Sequence, residues 1–102
     1  MNQFNIYAAY NDSNLDNLPE ADKLAHEHFP DGWTRIHTTG GWHGDTEHGV
    51  LYQVLLSTDF PRPWSVVIFA DKLRTIFAQQ TVLVTRQHVE SVNTSSIIKE
   101  AP

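Results

Sequence analysis

The sequence predicts an α+β sandwich in which two helices cover one face of a four-stranded antiparallel sheet. Three segments have alternating apolar residues, a fourth has a continuous apolar run, and two others have apolar residues at helical spacing. Their order along the chain is β-α-β-β-α-β, which is that of the ferredoxin-like sandwich. A length of 102 residues fits one domain of this kind.

The first strand and the first helix are predicted within the first thirty residues. Phe4–Tyr10 has apolar residues at alternate positions, which predicts a half-buried strand, and the polar stretch Asn11–Asn14 ends it. A helix follows, with Asn17 as its expected cap and Pro19 in its first turn. The sequence Pro30-Asp31-Gly32 ends this helix, because the residue before a proline is driven out of the α region.

The second and third strands are predicted as a hairpin. Alternation over Trp33–Thr38 and Val50–Leu56 indicates the two strands. Between them lies Thr39–Gly49, which is too long for a tight turn and is rich in glycine and ionisable side chains. We therefore expect an extended loop there, and it is the segment from which most of the functional predictions come.

The second helix and the fourth strand complete the sandwich. An apolar stripe from Val66 predicts a helix that runs to about Ala78, although its first four residues also fit a strand. Thr81–Arg86, with three consecutive apolar residues, is typical of a central strand that helices cover on one side. Residues 1–92 are thus expected to form the domain. Residues 93–102 form a polar tail that is frayed, exchanged with a neighbouring copy or added as an edge strand.

The sheet face away from the helices must be polar, bind a ligand or be buried against another subunit. The alternate positions of the strands place Tyr7, Trp33, Leu51 and Leu55 on this face. Such an apolar set predicts a homo-oligomer.

Composition excludes several classes of function. The formal net charge of -5 repels phosphate backbones, so nucleic-acid binding is not expected. The absence of cysteine removes thiolate chemistry and disulfides, and no apolar run is long enough to span a membrane. We expect a cytoplasmic protein without a cofactor.

A metal site is not expected either, despite six histidines. His26 and His28 are two positions apart on a predicted helix and point in different directions. His37, His43 and His48 lie around the hairpin loop, but their spacing matches no known ligand signature.

Two features of the hairpin loop have more than one interpretation. Asp45 and Glu47 share a face if the loop is extended, so they are either an acid–base pair or part of a solvated tip. Trp42 is an aromatic residue among glycines, which packs on its own sheet, on a neighbouring subunit or on a ligand.

Two stretches resemble the phage S-adenosylmethionine lyases, small enzymes that were once described as hydrolases. One runs from Gly32-Trp33 through Thr38-Thr39-Gly40-Gly41-Trp42-His43-Gly44 to Thr46-Glu47, and the other is Ala78-Gln79-Gln80-Thr81-Val82-Leu83-Val84. The resemblance implies a ferredoxin-like trimer with its active sites between subunits. It also implies conversion of S-adenosylmethionine to methylthioadenosine and homoserine lactone, which blunts restriction in an infected bacterium.

The same resemblance implies roles for individual residues. Glu47 matches the acidic residue that follows the hairpin in that family, and it is the predicted catalytic residue. Trp42 is expected to stack on adenine, and His43 is a further predicted substrate contact. Tyr7 and Gln79 are predicted substrate contacts because they are expected to lie near the cleft. Two alternatives remain open: an acidic, non-enzymatic protein that inhibits a host factor through its open sheet face or hairpin, and an oligomer that binds a metabolite without chemistry.

Overall fold

A computed structural model describes residues 1–58 and 60–90, without the side chains of Asp12 and Trp42. The predicted order of elements is confirmed. The elements are β1 (Asn2–Tyr10), a 3-10 helix (Asp12–Asn17), α1 (Leu18–His28), β2 (Thr34–Trp42), β3 (Asp45–Leu56), α2 (Trp64–Ile76) and β4 (Leu83–His88). The predicted tail, 93–102, lies outside the described residues.

The four strands form one antiparallel sheet in the order β2-β3-β1-β4, so the ferredoxin-like prediction is confirmed. The prediction that the last strand is central is wrong. β4 is at the edge of the sheet, where it pairs with β1, and all six of its residues are exposed. A continuous apolar run is typical of a buried central strand, but here it lies on an edge strand whose residues are exposed in the single chain.

The core lies between the helices and one face of the two central strands. Alternate residues of β1 and β3 point to this side, and α1 and α2 bury small and aromatic side chains against them. Complete burial of one large apolar side chain contributes about 1.5–3 kcal/mol to stability. The largest fully buried side chains are Tyr52, Phe4, Phe69, Phe77, Ile6, Leu73, Val50 and Val54.

The side chains of two asparagines that precede α1 form hydrogen bonds to the C-terminal end of α2. Asn17 lies at the N-cap position as predicted, but its side chain makes no capping hydrogen bond. Its Nδ2 instead donates to the carbonyl oxygen of Ile76 at 2.8 Å, and Asn14 Nδ2 donates to that of Phe77 at 3.0 Å. Because the last carbonyls of a helix lack partners within it, these two bonds satisfy the end of α2.

Trp33 is on the opposite side of the sheet from its predicted position. Its ring packs against Tyr52 at a centroid distance of 5.7 Å and against His26 of α1 at 5.0 Å. These contacts place it in the helix layer, so its assignment to the open face is wrong. Trp33 comes immediately before β2, and its position shares the alternation of Arg35, which also faces α1.

A polar network joins α1 to the sheet beneath it. The Tyr52 hydroxyl donates to Asp22 Oδ1 at 2.7 Å, and Arg35 of β2 forms an ion pair with the other carboxylate oxygen. Burial, together with the hydrogen bond to Asp22, raises the pKa of Tyr52 well above its usual range. The network therefore favours the neutral form of this tyrosine in the folded protein.

The glycine-rich segment is a two-stranded ribbon, so the prediction of an eleven-residue loop is wrong. β2 and β3 stay paired up to Trp42 and Asp45, and only His43 and Gly44 form the turn, with φ of 49° and 84°. Two consecutive positive φ angles are typical of the tight turns that suit twisted strands. The described residues of the ribbon from Thr39 to His48 are exposed, so no apolar alternation is needed there. The molecule is accordingly elongated, with extents of 53 × 29 × 24 Å.

Candidate functional site

The candidate site lies on the open face of the sheet, where the ribbon leaves the body of the domain. Strand register places Gly49 between Ala9 of β1 and Thr38 of β2, and it places Glu47 opposite Gly40. Alternation brings Glu47 to the same side of β3 as Gly49. Tyr7 of β1 reaches this position from the next strand, as its contact with Gly49 shows.

Tyr7 lies directly over Gly49. A Cβ atom on Gly49 would be 2.7 Å from Cε2 and 2.8 Å from the hydroxyl oxygen of Tyr7, and also 2.8 Å from the carbonyl oxygen of Ala8. Real Cβ atoms do not approach other atoms this closely. The missing side chain at Gly49 therefore allows the phenol to cross β3 and to point its hydroxyl along the sheet toward the ribbon.

Glu47 is exposed and faces an open surface. At its cross-strand partner, Gly40, no atom of the described residues lies within 4 Å of the position that a Cβ would take. Gly40 itself contributes no side chain to the surface beside the carboxylate. Asp45 lies two positions closer to the turn, so the two carboxylates share one side of β3, as expected for an extended segment.

Sequence reasoning missed Thr38, which lies opposite Gly49. Its Oγ1 atom is buried, and it has no hydrogen-bond partner among the described residues. A buried hydroxyl of this kind costs free energy until it finds a partner. No local sequence signal marks Thr38, because its position beside Gly49 depends on the strand pairing. The strand was also expected to end at Thr38.

The structure brings together some of the predicted site residues and separates others. Tyr7 and Glu47 share the open face, while His43 is exposed at the turn. Gln79 follows α2, and its Nε2 donates to the carbonyl oxygen of Phe77 at 3.1 Å, so it belongs to the helix layer. The role predicted for Trp42 concerns its side chain, which lies outside the described part of the structure.

The histidines do not gather around a common point. Within residues 1–58 and 60–90, no group of three or more His, Asp or Glu side chains is arranged to hold a metal ion. His26 contacts Trp33, His28 lies 3.5 Å from the Lys72 amine, and His48 Nδ1 lies 3.4 Å from Thr39 Oγ1. No helix in the described ranges is both long enough and apolar enough to cross a membrane.

The open face is also apolar away from the ribbon. Leu55 and Leu83 are 52% and 62% exposed, and Ile36 is 41% exposed. Register places these three side chains on the same side of the sheet as Tyr7. Ile36 and Leu83 lie in the same cross-strand row as Tyr7, whereas Glu47 lies on the ribbon side of that row. The candidate site is therefore a shallow surface in which a carboxylate lies beside an apolar row that includes the phenol.

Comparison with solved structures shows a shared fold. The chain is similar to a phage S-adenosylmethionine lyase in its apo state, with a TM-score of 0.60 and 17% identity, over 84% of this chain and 78% of that one. The resemblance to this group is thereby confirmed for the fold. The chain is also similar to the periplasmic divalent cation tolerance protein CutA from Archaeoglobus fulgidus, with a TM-score of 0.47 and 15% identity over 96% and 93% of the two chains. No family model and no curated protein sequence matches it.

Proposed function

We propose that the protein is an S-adenosylmethionine lyase that acts as a homo-oligomer, with Glu47 as the residue that faces the positive charge of the substrate. The observation that carries the proposal is the open-face arrangement of Glu47 and Tyr7 around Gly40 and Gly49. The similarity of fold to a phage S-adenosylmethionine lyase supports it.

The proposed reaction needs little acid–base chemistry. The carboxylate oxygen of the substrate attacks the carbon beside the sulfonium, so that a carbon–oxygen bond forms while the carbon–sulfur bond breaks. The electron pair of the broken bond stays on sulfur, and the products are methylthioadenosine and homoserine lactone. No proton is transferred, because the leaving group is a neutral thioether. The enzyme must hold the substrate in a folded conformation and exclude water.

The candidate site supplies groups suited to this task. The Glu47 carboxylate attracts the ammonium or the sulfonium of the substrate, and the phenol of Tyr7 offers an aromatic face and a hydroxyl. Two unit charges that are 4 Å apart attract each other by about 1 kcal/mol in water. Near a protein surface, where the effective dielectric constant is lower, the attraction is about 4 kcal/mol. An exposed carboxylate therefore becomes effective only when something covers the site.

A second copy of the chain is the proposed cover. The apolar side chains of Ile36, Leu55 and Leu83 lie on the same face as Glu47, and their exposure suits an interface between subunits. Assembly through this face encloses the carboxylate between chains and lowers the local dielectric. The trimer implied by the sequence resemblance is the form of assembly that we propose.

The test is to incubate the purified protein with S-adenosylmethionine and to quantify methylthioadenosine and homoserine lactone by mass spectrometry. We expect both products above the spontaneous background. Glu47→Gln should lower the rate at least a hundredfold, because it removes the negative charge and keeps the shape. Asp45→Asn is the matched control, since it removes a neighbouring carboxylate from the same side of β3, and it should retain most of the activity.

Two outcomes would contradict the proposal. If the wild-type protein forms no product above background, the lyase function is wrong. If Glu47→Gln is as active as the wild type, Glu47 has no part in the reaction. Both variants must have the same sedimentation coefficient as the wild type, so that a lower rate caused by dissociation of the oligomer is not mistaken for loss of a catalytic group.

The apolar open face also favours a second candidate, a non-enzymatic protein that binds a host factor through this face. Under that alternative the purified protein is inactive toward S-adenosylmethionine, and it recovers one host protein in a stoichiometric complex. Substitution of Leu55 by aspartate would then abolish the complex.

A further inference from the structure

A groove lies between α2 and β4, on the helix-covered side of the sheet. Register pairs Val84 with Ile6 and Arg86 with Phe4, and both of these β1 residues are buried beneath the helices. The side chains of Val84 and Arg86 therefore point toward the helix layer. The groove has a volume of about 290 Å³, and its lining includes Arg62, Val66, Val67, Ala70, Val84 and Arg86.

Most of the groove surface is apolar. Val66 and Ala70, one turn apart on α2, are buried, whereas Val67 and Val84 are 40% and 39% exposed. Apolar side chains on the helix side of a sheet are usually covered. Among the described residues, Val67 and Val84 thus present an apolar surface that a bound molecule can bury.

Two arginines line the same groove, Arg62 before α2 and Arg86 on β4. The sequence has seven basic residues against twelve acidic ones, yet no carboxylate of residues 1–58 and 60–90 lines the groove. The arginine ion pairs within these ranges involve Arg35 and Arg74, so neither groove arginine is neutralised in this way. The groove is therefore a positively charged place on an acidic protein, and it is complementary to an anion.

We propose that this groove binds a small carboxylate with a short apolar chain, such as a medium-chain fatty acid. Guanidinium groups form charge-assisted hydrogen bonds with carboxylates, and the apolar chain packs against Val67 and Val84. Sites for drug-sized ligands usually have volumes of about 300–1,000 Å³, so a groove of about 290 Å³ suits a short chain.

This site is separate from the proposed lyase site. Val84 shares the side of the sheet on which Ile6 is buried beneath the helices, whereas Glu47 lies with Tyr7 on the open face. The inference therefore does not depend on activity toward S-adenosylmethionine.

Titration of the full-length protein with octanoate, followed by amide NMR, tests the proposal. We expect saturable shifts at the amides of Val66, Val67, Val84 and Arg86. Octanol has the same number of carbons and no charge, and it should bind about fivefold more weakly because it cannot pair with the arginines. Absence of saturable shifts at these amides would overturn the proposal, and so would equal affinities for octanoate and octanol.

Substitution of the arginines separates the carboxylate site from general charge. Arg62→Gln combined with Arg86→Gln should weaken octanoate binding about tenfold and leave octanol binding unchanged. Arg74→Gln is the matched control, because Arg74 is an exposed arginine of α2 that pairs with Asp71 and does not line the groove. Its affinity for octanoate should change by less than about twofold. Equal weakening in the double variant and in the control would overturn the assignment of the carboxylate to the groove.

Filling the groove provides a further test of the position of the apolar chain. Val67→Trp enlarges a side chain that is already partly exposed, so the protein should stay folded, which its melting temperature checks. The indole would occupy the groove, and binding of both octanoate and octanol should be lost. Unchanged octanoate binding in this variant would contradict the proposal.

Discussion

The ring of Tyr7 occupies the space in which a side chain at Gly49 would begin. The two residues are on neighbouring strands, and the contact is possible only because Gly49 has no Cβ atom. This pair fixes the phenol at the boundary between the domain body and the ribbon. Several measurable consequences follow from this pair and from the elements around it.

Gly49→Ala should destabilise the protein by about 1–3 kcal/mol, because the new methyl group would overlap both the ring of Tyr7 and the Ala8 carbonyl. Urea unfolding measures the loss. Gly40→Ala is the matched control, since its methyl group meets no atom within 4 Å, and its free energy of unfolding should change by less than about 0.5 kcal/mol. Equal effects of the two substitutions would show that the contact of Tyr7 with Gly49 does not constrain the sheet.

Stability should fall as the pH rises above 10, because Tyr52 must lose a proton that the folded state holds more tightly than the unfolded chain does. Burial and the hydrogen bond to Asp22 raise the pKa of Tyr52 above its ordinary value of 10.0. The contribution of Tyr52 to the free energy of unfolding is complete below pH 10. As the pH rises from 10 toward the pKa of Tyr52 in the folded state, this contribution falls by up to about 1.4 kcal/mol per pH unit. Urea unfolding between pH 8 and 11 measures this slope.

Substitution isolates the contribution of Tyr52 to that slope. Tyr52→Phe is less stable at neutral pH because it loses the bond to Asp22, but its stability should depend less steeply on pH above 10. Tyr10→Phe serves as the control, and it should keep the slope of the wild type. If Tyr52→Phe and the wild type have the same slope, another group is responsible for the alkaline unfolding.

Gly44→Ala should loosen the ribbon without unfolding the domain. Gly44 has φ of 84°, a conformation that costs an alanine about 1 kcal/mol. Gly41→Ala is the control, because its methyl group would lie in ordinary van der Waals contact, 3.9 Å from the nearest atom. Amide hydrogen exchange from Gly40 to Glu47 should accelerate severalfold in Gly44→Ala alone. Unchanged exchange in that variant would mean that the turn does not hold the ribbon together.

Assembly should depend on the open face. Leu55→Asp combined with Leu83→Asp places two charges at sites that are already exposed in the single chain, so we expect a folded monomer in place of the oligomer. Sedimentation velocity measures the change. Leu15→Asp is the control, because Leu15 is similarly exposed at 42% but lies in the 3-10 helix. A wild-type chain that sediments as a monomer at micromolar concentration contradicts the prediction.

The body of the domain could be predicted because its burial leaves a periodic pattern. β1 alternates over its whole length since one face contacts the helices, and α2 has an apolar stripe for the same reason. The ribbon could not be predicted as strand, because its described residues are exposed and, apart from Trp42, its residues are glycine or polar. The side of Trp33 was ambiguous, because Trp33 and Ile36 lie on opposite faces of the same strand and alternation alone does not say which of the two faces the helices.

The candidate site was predictable only in part. Glu47 is predicted from a resemblance and Tyr7 from its expected nearness to the cleft, and their common face depends on a register that only the paired strands define. Thr38 could be identified as a site residue only once its pairing with Gly49 was known. The asparagine contacts to the end of α2 join residues about sixty positions apart, and no local pattern indicates such pairs.

The position of β1 between β3 and β4 has a consequence for the order of folding. β2 and β3 meet across a two-residue turn, so their pairing closes a very short loop. β1 instead pairs with β3 and β4, which lie some fifty and eighty residues downstream, so its pairing closes much longer loops. We therefore expect the β2–β3 hairpin to pair first and β4 to join the sheet last. During synthesis on the ribosome, the N-terminal strand stays without partners until most of the chain has emerged.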